Sequence, residues 1–411
     1  MAEKRRDDSR TVLRIGEGQR KGGMYYYRWT ENGKRHSIYA NTLTDLRRKE
    51  EELKTHKGLG IKVESGYVSL NDLYALWKDM KVGLRDNTFQ NYCYTWDLFV
   101  KDDLGVMRVK DILKSDVKQF YNRLREQRGL KPNSVDNVHT VLHQVLQVAV
   151  DNRFIINNPS DNAMTEFRRS HYNKGEKKHA LTVEQQKLLL DFLKTDKIYS
   201  HWYPAVAVML GTGMRVGELT GLRWCDLDLE GRTISINHTL VYYDHRDGDN
   251  GRGCYFNVHD TKTEAGERVI PMMQFVKDAF LMEKEYQQEN GIICSSMIDG
   301  YTDFIFLNRN GCVHHQGSLN SGIRRIIRSC NDAQFLKSPE PEILLPNFSC
   351  HNLRHTFATR MCEAGINPKV IQATMGHTDI QTTMNIYAEA TKDFKVKEIE
   401  NFEEKLMNGM L

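Results

Sequence analysis

His351-Asn352-Leu353-Arg354-His355 opens a stretch that runs through Met375-Gly376-His377 and closes on Asn385-Ile386-Tyr387, and the rest of the chain reads as support for it. Leu353, Phe357 and Met361 recur at i, i+4 and i+8, the spacing of a half-buried helix, so His351 to Glu363 is predicted helical, with His351, Arg354 and His355 rising from its first turn. Gly365 stops that helix. Asn367 and Pro368 supply an N-cap and a proline at the first helical position, and Gly376 closes this second helix with His377 just beyond its end. A third short helix delivers Tyr387. Cationic donors beside a phenol suit a phosphodiester, which needs donors on its oxygens and a nucleophile for its phosphorus. A phenol with a reference pKa of about 10 is a poor nucleophile while protonated, and Arg354, His351 and His377 are the cations at hand. Taken singly, each histidine satisfies a local hydrogen bond and Tyr387 is an ordinary helix residue. The order and spacing of the whole set favour the chemical reading.

His351-x-x-Arg354, then Gly376-His377, then Tyr387 ten residues after His377 resemble the second signature box of the tyrosine recombinases, the phage-type integrases. Gly211-Thr-Gly-Met-Arg215-Val-Gly-Glu218-Leu, followed by Leu222-Arg-Trp-Cys-Asp226, resembles the family's first box. Thr261-Lys262-Thr263 sits where the family keeps a lysine on a β-hairpin turn. The resemblance spans most of Leu181 to Ala390. It implies a site-specific recombinase for integration and excision of a mobile element, with Tyr387 as the nucleophile that forms a 3′-phosphotyrosyl link. Arg215 and Arg354 would hold the non-bridging oxygens, as forked donors do better than a lysine. Lys262 would act as general acid, His351 and His377 would assist with protons and hydrogen bonds, and Glu218 would hold the Arg215 guanidinium or help position His351. Asp226 is the other choice for that supporting place.

The 411 residues are enough for two or three domains, each with its own core, and the balance of 40% hydrophobic and 27% charged residues is that of a soluble globular chain. No apolar run reaches the roughly 20 residues of a membrane span, and the charged start lacks a signal-peptide core, so a cytoplasmic location is expected. Eight cysteines are scattered without a C-x-x-C pair, which argues against a zinc ribbon or a disulfide framework. A net charge of +4 is only mildly basic, so the distribution of charge carries more than its sum.

Residues 1–62 read as a small unit of three strands, Thr11 to Ile15, Met24 to Trp29 and Lys34 to Tyr39, the last two joined by Asn32-Gly33. A helix capped by Thr42 and Asp45, with Leu43, Leu46 and Leu53 facing the sheet, follows. Arg14, Tyr26, Arg28, Lys34 and Arg35 are then candidates for DNA contact from the free face. This unit resembles the arm-type DNA-binding domain of conjugative-transposon integrases. Residues 66–162 read as a four-helix bundle resembling the family's core-binding domain, with Lys118 and Arg123 among its possible phosphate contacts. Residues 163–178, containing Arg168, Arg169, Lys177 and Lys178, read as a basic linker able to cross a DNA backbone, and 179–411 as the catalytic domain with a tail helix. In the catalytic domain Thr233 to Ile236, Thr239 to Tyr242 and Arg268 to Pro271 are expected to form a small sheet with Lys262 at its edge. Asp244 to Cys254 reads as a Gly-rich hairpin insertion.

The expected fold is therefore multidomain α+β: a small sheet with one helix, a helical bundle, and a mixed, mainly helical domain of the DNA breaking and rejoining type. The resemblance implies double-stranded DNA at core and arm sites as partner, and a homo-oligomer that is dimeric on one site and tetrameric in synapsis. It also implies an accessory excision factor, and no metal, ATP or other cofactor. Three rival readings are a zinc hydrolase, a type IB topoisomerase and a catalytically silent DNA-binding regulator. His351 and His355 have a metal-pair spacing, but position 352 is Asn where a zinc protease needs Glu. The N-terminal sheet and His377 favour the recombinase over the topoisomerase, and a regulator has no use for a free phenol.

Overall fold

The computed structural model describes residues 5–31, 34–58, 68–171, 180–245, 253–260, 266–390 and 403, and the chain forms two compact units, residues 1–175 and 176–411. In the first unit β1 (Glu17–Gln19), β2 (Tyr25–Glu31) and β3 (Lys34–Ala40) make an antiparallel sheet in that order. The register runs from Tyr25↔Ala40 to Glu31↔Lys34, so Tyr26, Arg28, Arg35 and Tyr39 share one face. Helix α1 (Leu43–Gly58) starts where expected, with the Asp45 N–H donating to Thr42 Oγ1 (3.1 Å), and it buries Leu46.

The first strand differs from the sequence expectation. Thr11 to Ile15 turns back on the chain before it, with the Leu13 N–H donating to the Arg5 carbonyl (2.9 Å), and leaves Ile15 94% exposed. The strand that pairs with β2 is Glu17–Gln19, because Gly18 lets the Tyr26 ring lie directly over the backbone; a Cβ there would stand 2.3 Å from Tyr26 Cζ.

Helices α2 (Leu70–Met80), α3 (Asp86–Thr95), α4 (Lys114–Glu126) and α5 (Pro132–Asp151) form the bundle. Leu73, Trp77, Trp96, Phe120, Leu124, Val138, Leu142 and Val145 share its core, as their spacing implies, whereas Leu76 is exposed. Ser69 and Asp72 form a capping box at the start of α2, and α5 begins at Pro132. The linker expected over 163–178 is corrected in its first half. Met164–His171 folds as helix α6, with Met164 and Phe167 in the bundle core and Arg168 and Arg169 exposed. Two apolar residues at i, i+3 are enough to seat a two-turn helix on a bundle, and six basic residues masked them in the sequence. Lys177 and Lys178 lie outside the described residues.

The second unit contains α7 (Val183–Thr195), α8 (Tyr203–Thr212), α9 (Val216–Gly221), β4 (Leu227–Asp228), β5 (Thr233–Ile236), β6 (His238–His245), β7 (Gly253–Asp260), β8 (Arg268–Pro271), α10 (Gln274–Glu289), α11 (Gln316–Lys337), α12 (Cys350–Glu363), α13 (Pro368–Met375) and α14 (Ile380–Ala390). Helix α8 is apolar all round and buried along its whole length, and α10 and α12 pack against it. Strand β5 pairs with β4 and β8, whereas β6 pairs with β7 from His238↔Asp260 to His245↔Gly253. The three strands expected in one sheet are thus split between a sheet and a hairpin. Lys262 lies between β7 and β8, outside the described residues, as do the hairpin tip at 246–252 and nearly all of the expected tail helix.

Candidate active site

Three separate segments supply the site. Helix α8 ends at Gly213, whose φ of 61° is left-handed, and Arg215 then serves as N-cap of α9. An added Cβ at Gly213 would stand 2.3 Å from the Phe357 ring and 2.7 Å from Met375 Sδ, so only glycine lets this turn sit between α12 and α13. Ser349 caps α12, which places His351 and Arg354 in its first turn. Asn367 and Pro368 start α13, and Gly376 ends it with φ 62°, putting His377 immediately beyond. The ends of α13 are those the sequence led us to expect, and α12 starts one residue before the expected His351.

Arg215, His351, Arg354 and His377 line one cleft of about 500 Å³, together with Met214, Gln316, Cys350, Thr378, Asp379 and Thr382. Arg354 is buried, and its two Nη atoms donate to the Gly213 and Met375 carbonyls, both at 2.6 Å. Burial, and after it the Arg215 charge, pushes the Arg354 pKa down to about 9. Arg215 donates to Glu218 Oε1 (2.8 Å) and to the Gly376 carbonyl (2.7 Å) while its side chain stays 44% exposed at the cleft. His377 Nδ1 lies 2.9 Å from Thr383 Oγ1. Burial and the charges of Arg354, Arg215 and Arg268 push the His377 pKa down to about 4, so the ring is neutral at physiological pH.

Glu218 holds Arg215, as one of its two expected roles requires. Burial alone would raise its pKa, but the hydrogen bonds and charge of Arg268, with those of Arg215, bring it below the ordinary carboxyl value. Arg268 escaped the sequence reading. Its Nη2 donates to Glu218 Oε2 (2.8 Å) and its Nε to the Thr374 carbonyl (2.7 Å). An arginine opening a short strand gives no signal of this kind, because its partners are far along the chain. Asp226 stands apart from the network, accepting from Arg223 at 3.1 Å. His355 pairs with Thr359 one turn on (3.2 Å).

Tyr387 is half-buried on α14 and packs against the cluster of Phe357, Ala358, Cys362, Ile371 and Met375. It is not among the residues that line the cleft. Of the DNA-contact candidates, Arg28 lies over the Tyr26 ring at 4.5 Å, Arg35 is exposed, and Arg14 is 3.9 Å from the buried Glu50 carboxylate. Lys118, Arg123 and Arg168 pair with Glu166 (2.9 Å), Asp103 (2.6 Å) and Asp136 (2.8 Å). Arg169 is exposed, and the Lys34 side chain lies outside the described residues.

The two-unit fold and a cleft lined by two arginines and two histidines are those expected of a DNA breaking and rejoining enzyme. The phage integrase family matches residues 179–393, the DNA-binding domain of the Tn916 integrase matches 1–57, and the N-terminal SAM-like domain of phage integrases matches 69–125. The transposase from transposon Tn1545 of Streptococcus pneumoniae and that from Tn916 of Enterococcus faecalis are each 33% identical over 97% of this chain and 96% of their own. The Tn1549 transposon integrase in complex with transposon right end DNA superposes with a TM-score of 0.69 at 30% identity, covering 81% of this chain and 99% of that one. Lambda integrase, at 16% identity and a TM-score of 0.52 over 93% of this chain and 96% of that one, shares the fold. The chain belongs to the phage integrase family and is a tyrosine-type site-specific recombinase.

Proposed function

We propose that this chain integrates and excises a mobile DNA element, exchanging strands through a covalent 3′-phosphotyrosyl intermediate. The observation that carries this reading is the convergence of Arg215, His351, Arg354 and His377, from three chain segments, on one cleft. Two guanidiniums fixed by main-chain carbonyls before DNA arrives are preorganised donors for the charge that builds on an attacked phosphate. Tyr387 would attack the scissile phosphorus and release a 5′-hydroxyl, with Lys262 protonating the leaving oxygen. His351 would take the phenol proton or orient the phosphate, and neutral His377 would donate a hydrogen bond. The freed hydroxyl of a partner strand would then attack the phosphotyrosine, so bond energy is conserved and the scheme uses neither ATP nor a metal.

Double-stranded DNA is the partner this reading requires, bound as a dimer on one core site and as a tetramer in synapsis. Residues 1–62 would hold arm sites, and the helical bundle, with α6 on it, and residues 179–411 would hold the core site. An accessory factor would direct excision, and the working location would be the cytoplasm, on the nucleoid.

The test is a duplex nicked beside the crossover site, so that a short fragment leaves after cleavage, incubated in EDTA with wild type or Tyr387→Phe. Wild type alone is expected to form a denaturation-resistant adduct and to pass the strand to a second duplex. Binding by both proteins with no adduct from either would sink the catalytic reading in favour of a silent regulator. An adduct without transfer to a partner would favour a topoisomerase.

A further inference from the structure

Three arginines meet the end of α13, and each takes a different carbonyl. Arg268 Nε donates to Thr374 (2.7 Å), Arg354 Nη2 to Met375 (2.6 Å) and Arg215 Nη2 to Gly376 (2.7 Å). A helix C-terminus leaves these carbonyls without intrahelical partners and carries partial negative charge, so it both orders the cations and is ordered by them. Arg354 and Arg215 also line the cleft, whereas Arg268 is not among its lining residues and its side chain is 7% exposed.

The Arg268 fork is turned to other partners. Nη2 donates to Glu218 Oε2 (2.8 Å), and Nη1 to Glu218 Oε1 (3.1 Å) and the Gly266 carbonyl (3.0 Å). Glu218, whose side chain is 4% exposed, also accepts from the Arg215 N–H and Nη1, both at 2.8 Å. One buried carboxylate is thus shared between two guanidiniums. Without Arg268, Glu218 would lose one of the two guanidiniums that donate to it among the described residues and would draw Arg215 inward, away from the cleft.

We propose that Arg268 is a positioning residue for strand cleavage: by sharing Glu218 with Arg215 and holding the Thr374 carbonyl, it sets where Arg215 points and where α13 ends. This rests on the reading that Arg215 stabilises the attacked phosphate. A lysine at 268 would keep the charge but not the fork that spans Glu218 and Thr374.

The test measures single-turnover adduct formation on the nicked duplex at saturating full-length protein. Wild type is compared with Arg268→Gln, Arg268→Lys, Glu218→Gln and the Arg268→Gln/Glu218→Gln double variant, with folded fraction and DNA affinity measured in parallel. Arg268→Gln is expected to slow the adduct by about 10- to 100-fold per folded molecule while affinity stays within about threefold, and Arg268→Lys to stay about tenfold slow. The double variant is expected to be no slower than the slower single variant, because both act through one network. A duplex with a bridging 5′-sulphur, whose thiolate leaves without a proton, is expected to leave Arg268→Gln slow.

The proposal is overturned if both Arg268 variants match wild type per folded molecule, if the cycle is additive, or if the sulphur duplex restores Arg268→Gln. Where Arg268→Gln does not fold, Arg268→Lys decides. No adduct even from wild type overturns the recombinase reading and this proposal together. A wild-type adduct equalled by both Arg268 variants overturns this proposal alone.

Discussion

His377 sits where burial and three guanidiniums all oppose its protonation. Its pKa falls to about 4 in the folded chain, against about 6.5 for an unperturbed histidine. The sign of the linkage follows. Below about pH 6.5 the unfolded chain takes up a proton that the folded chain refuses, so the stability tied to this site is complete above that pH and is lost as pH falls toward about 4. Denaturant titrations of the free protein from pH 7 to pH 4 are expected to show a larger loss for wild type than for His377→Asn. Equal losses would mean that the ring is not held neutral. A phosphate in the cleft reverses the local field, so DNA is expected to raise the His377 pKa and steady the Arg215 and Arg354 pair. Of these residues Arg215, His351, Arg354 and His377 were legible as a set from motif spacing. Arg268 was not, because its role depends on Glu218, which precedes it by fifty residues, and on Thr374, more than a hundred residues beyond it.

At the scale of elements, the turn from α8 to α9 and the end of α13 hold the site together, and glycine decides both. Gly213 and Gly376 take left-handed conformations, and Gly213 has ring and sulphur atoms where a side chain would go. Gly213→Ala is expected to destabilise the protein by about 1–3 kcal/mol through overpacking and to slow adduct formation, because the Gly213 carbonyl is one of the two that fix Arg354. Thermal melts with the nicked-duplex assay check this, and an unchanged melt would show that Phe357 and Met375 yield freely. The Thr42 and Asp45 cap and the Asn367 and Pro368 cap marked the starts of α1 and α13, and apolar spacing placed α12 to within a residue, since these signals are local. The true first strand and α6 were misread, since Gly18 and the Met164 and Phe167 pair acquire meaning only from what packs on them.

Over the whole molecule the charge is only +4, and three of the basic residues proposed to meet DNA already pair with acids. DNA would have to compete for Lys118, Arg123 and Arg168, so their contribution should be steeply salt-dependent. Removing residues 1–62 is expected to abolish retention of a duplex carrying only an arm site. Adduct formation on a core-only duplex should stay within about threefold, because the cleft lies wholly in the second unit. Gel-shift and adduct assays on the two duplexes check this, and loss of core cleavage on truncation would mean that the N-terminal sheet takes part in chemistry.

The sequence by itself determined the residue types, the caps and the glycine stops, because those signals act within a turn or two of the backbone. Its motifs, through the family they resemble, also marked Arg215, His351, Arg354, His377 and Tyr387 as candidates for one chemistry. Tertiary structure decided which groups meet: that β5 pairs with β8 and β6 with β7, that three arginines share the last carbonyls of α13, and that Glu218 serves two of them. It also decided that Tyr387 packs on the apolar cluster of α12 and α13 rather than lining the cleft. Those outcomes depend on burial and on partners distant in sequence, where the cost of an unmatched charge, rather than local propensity, selects the arrangement.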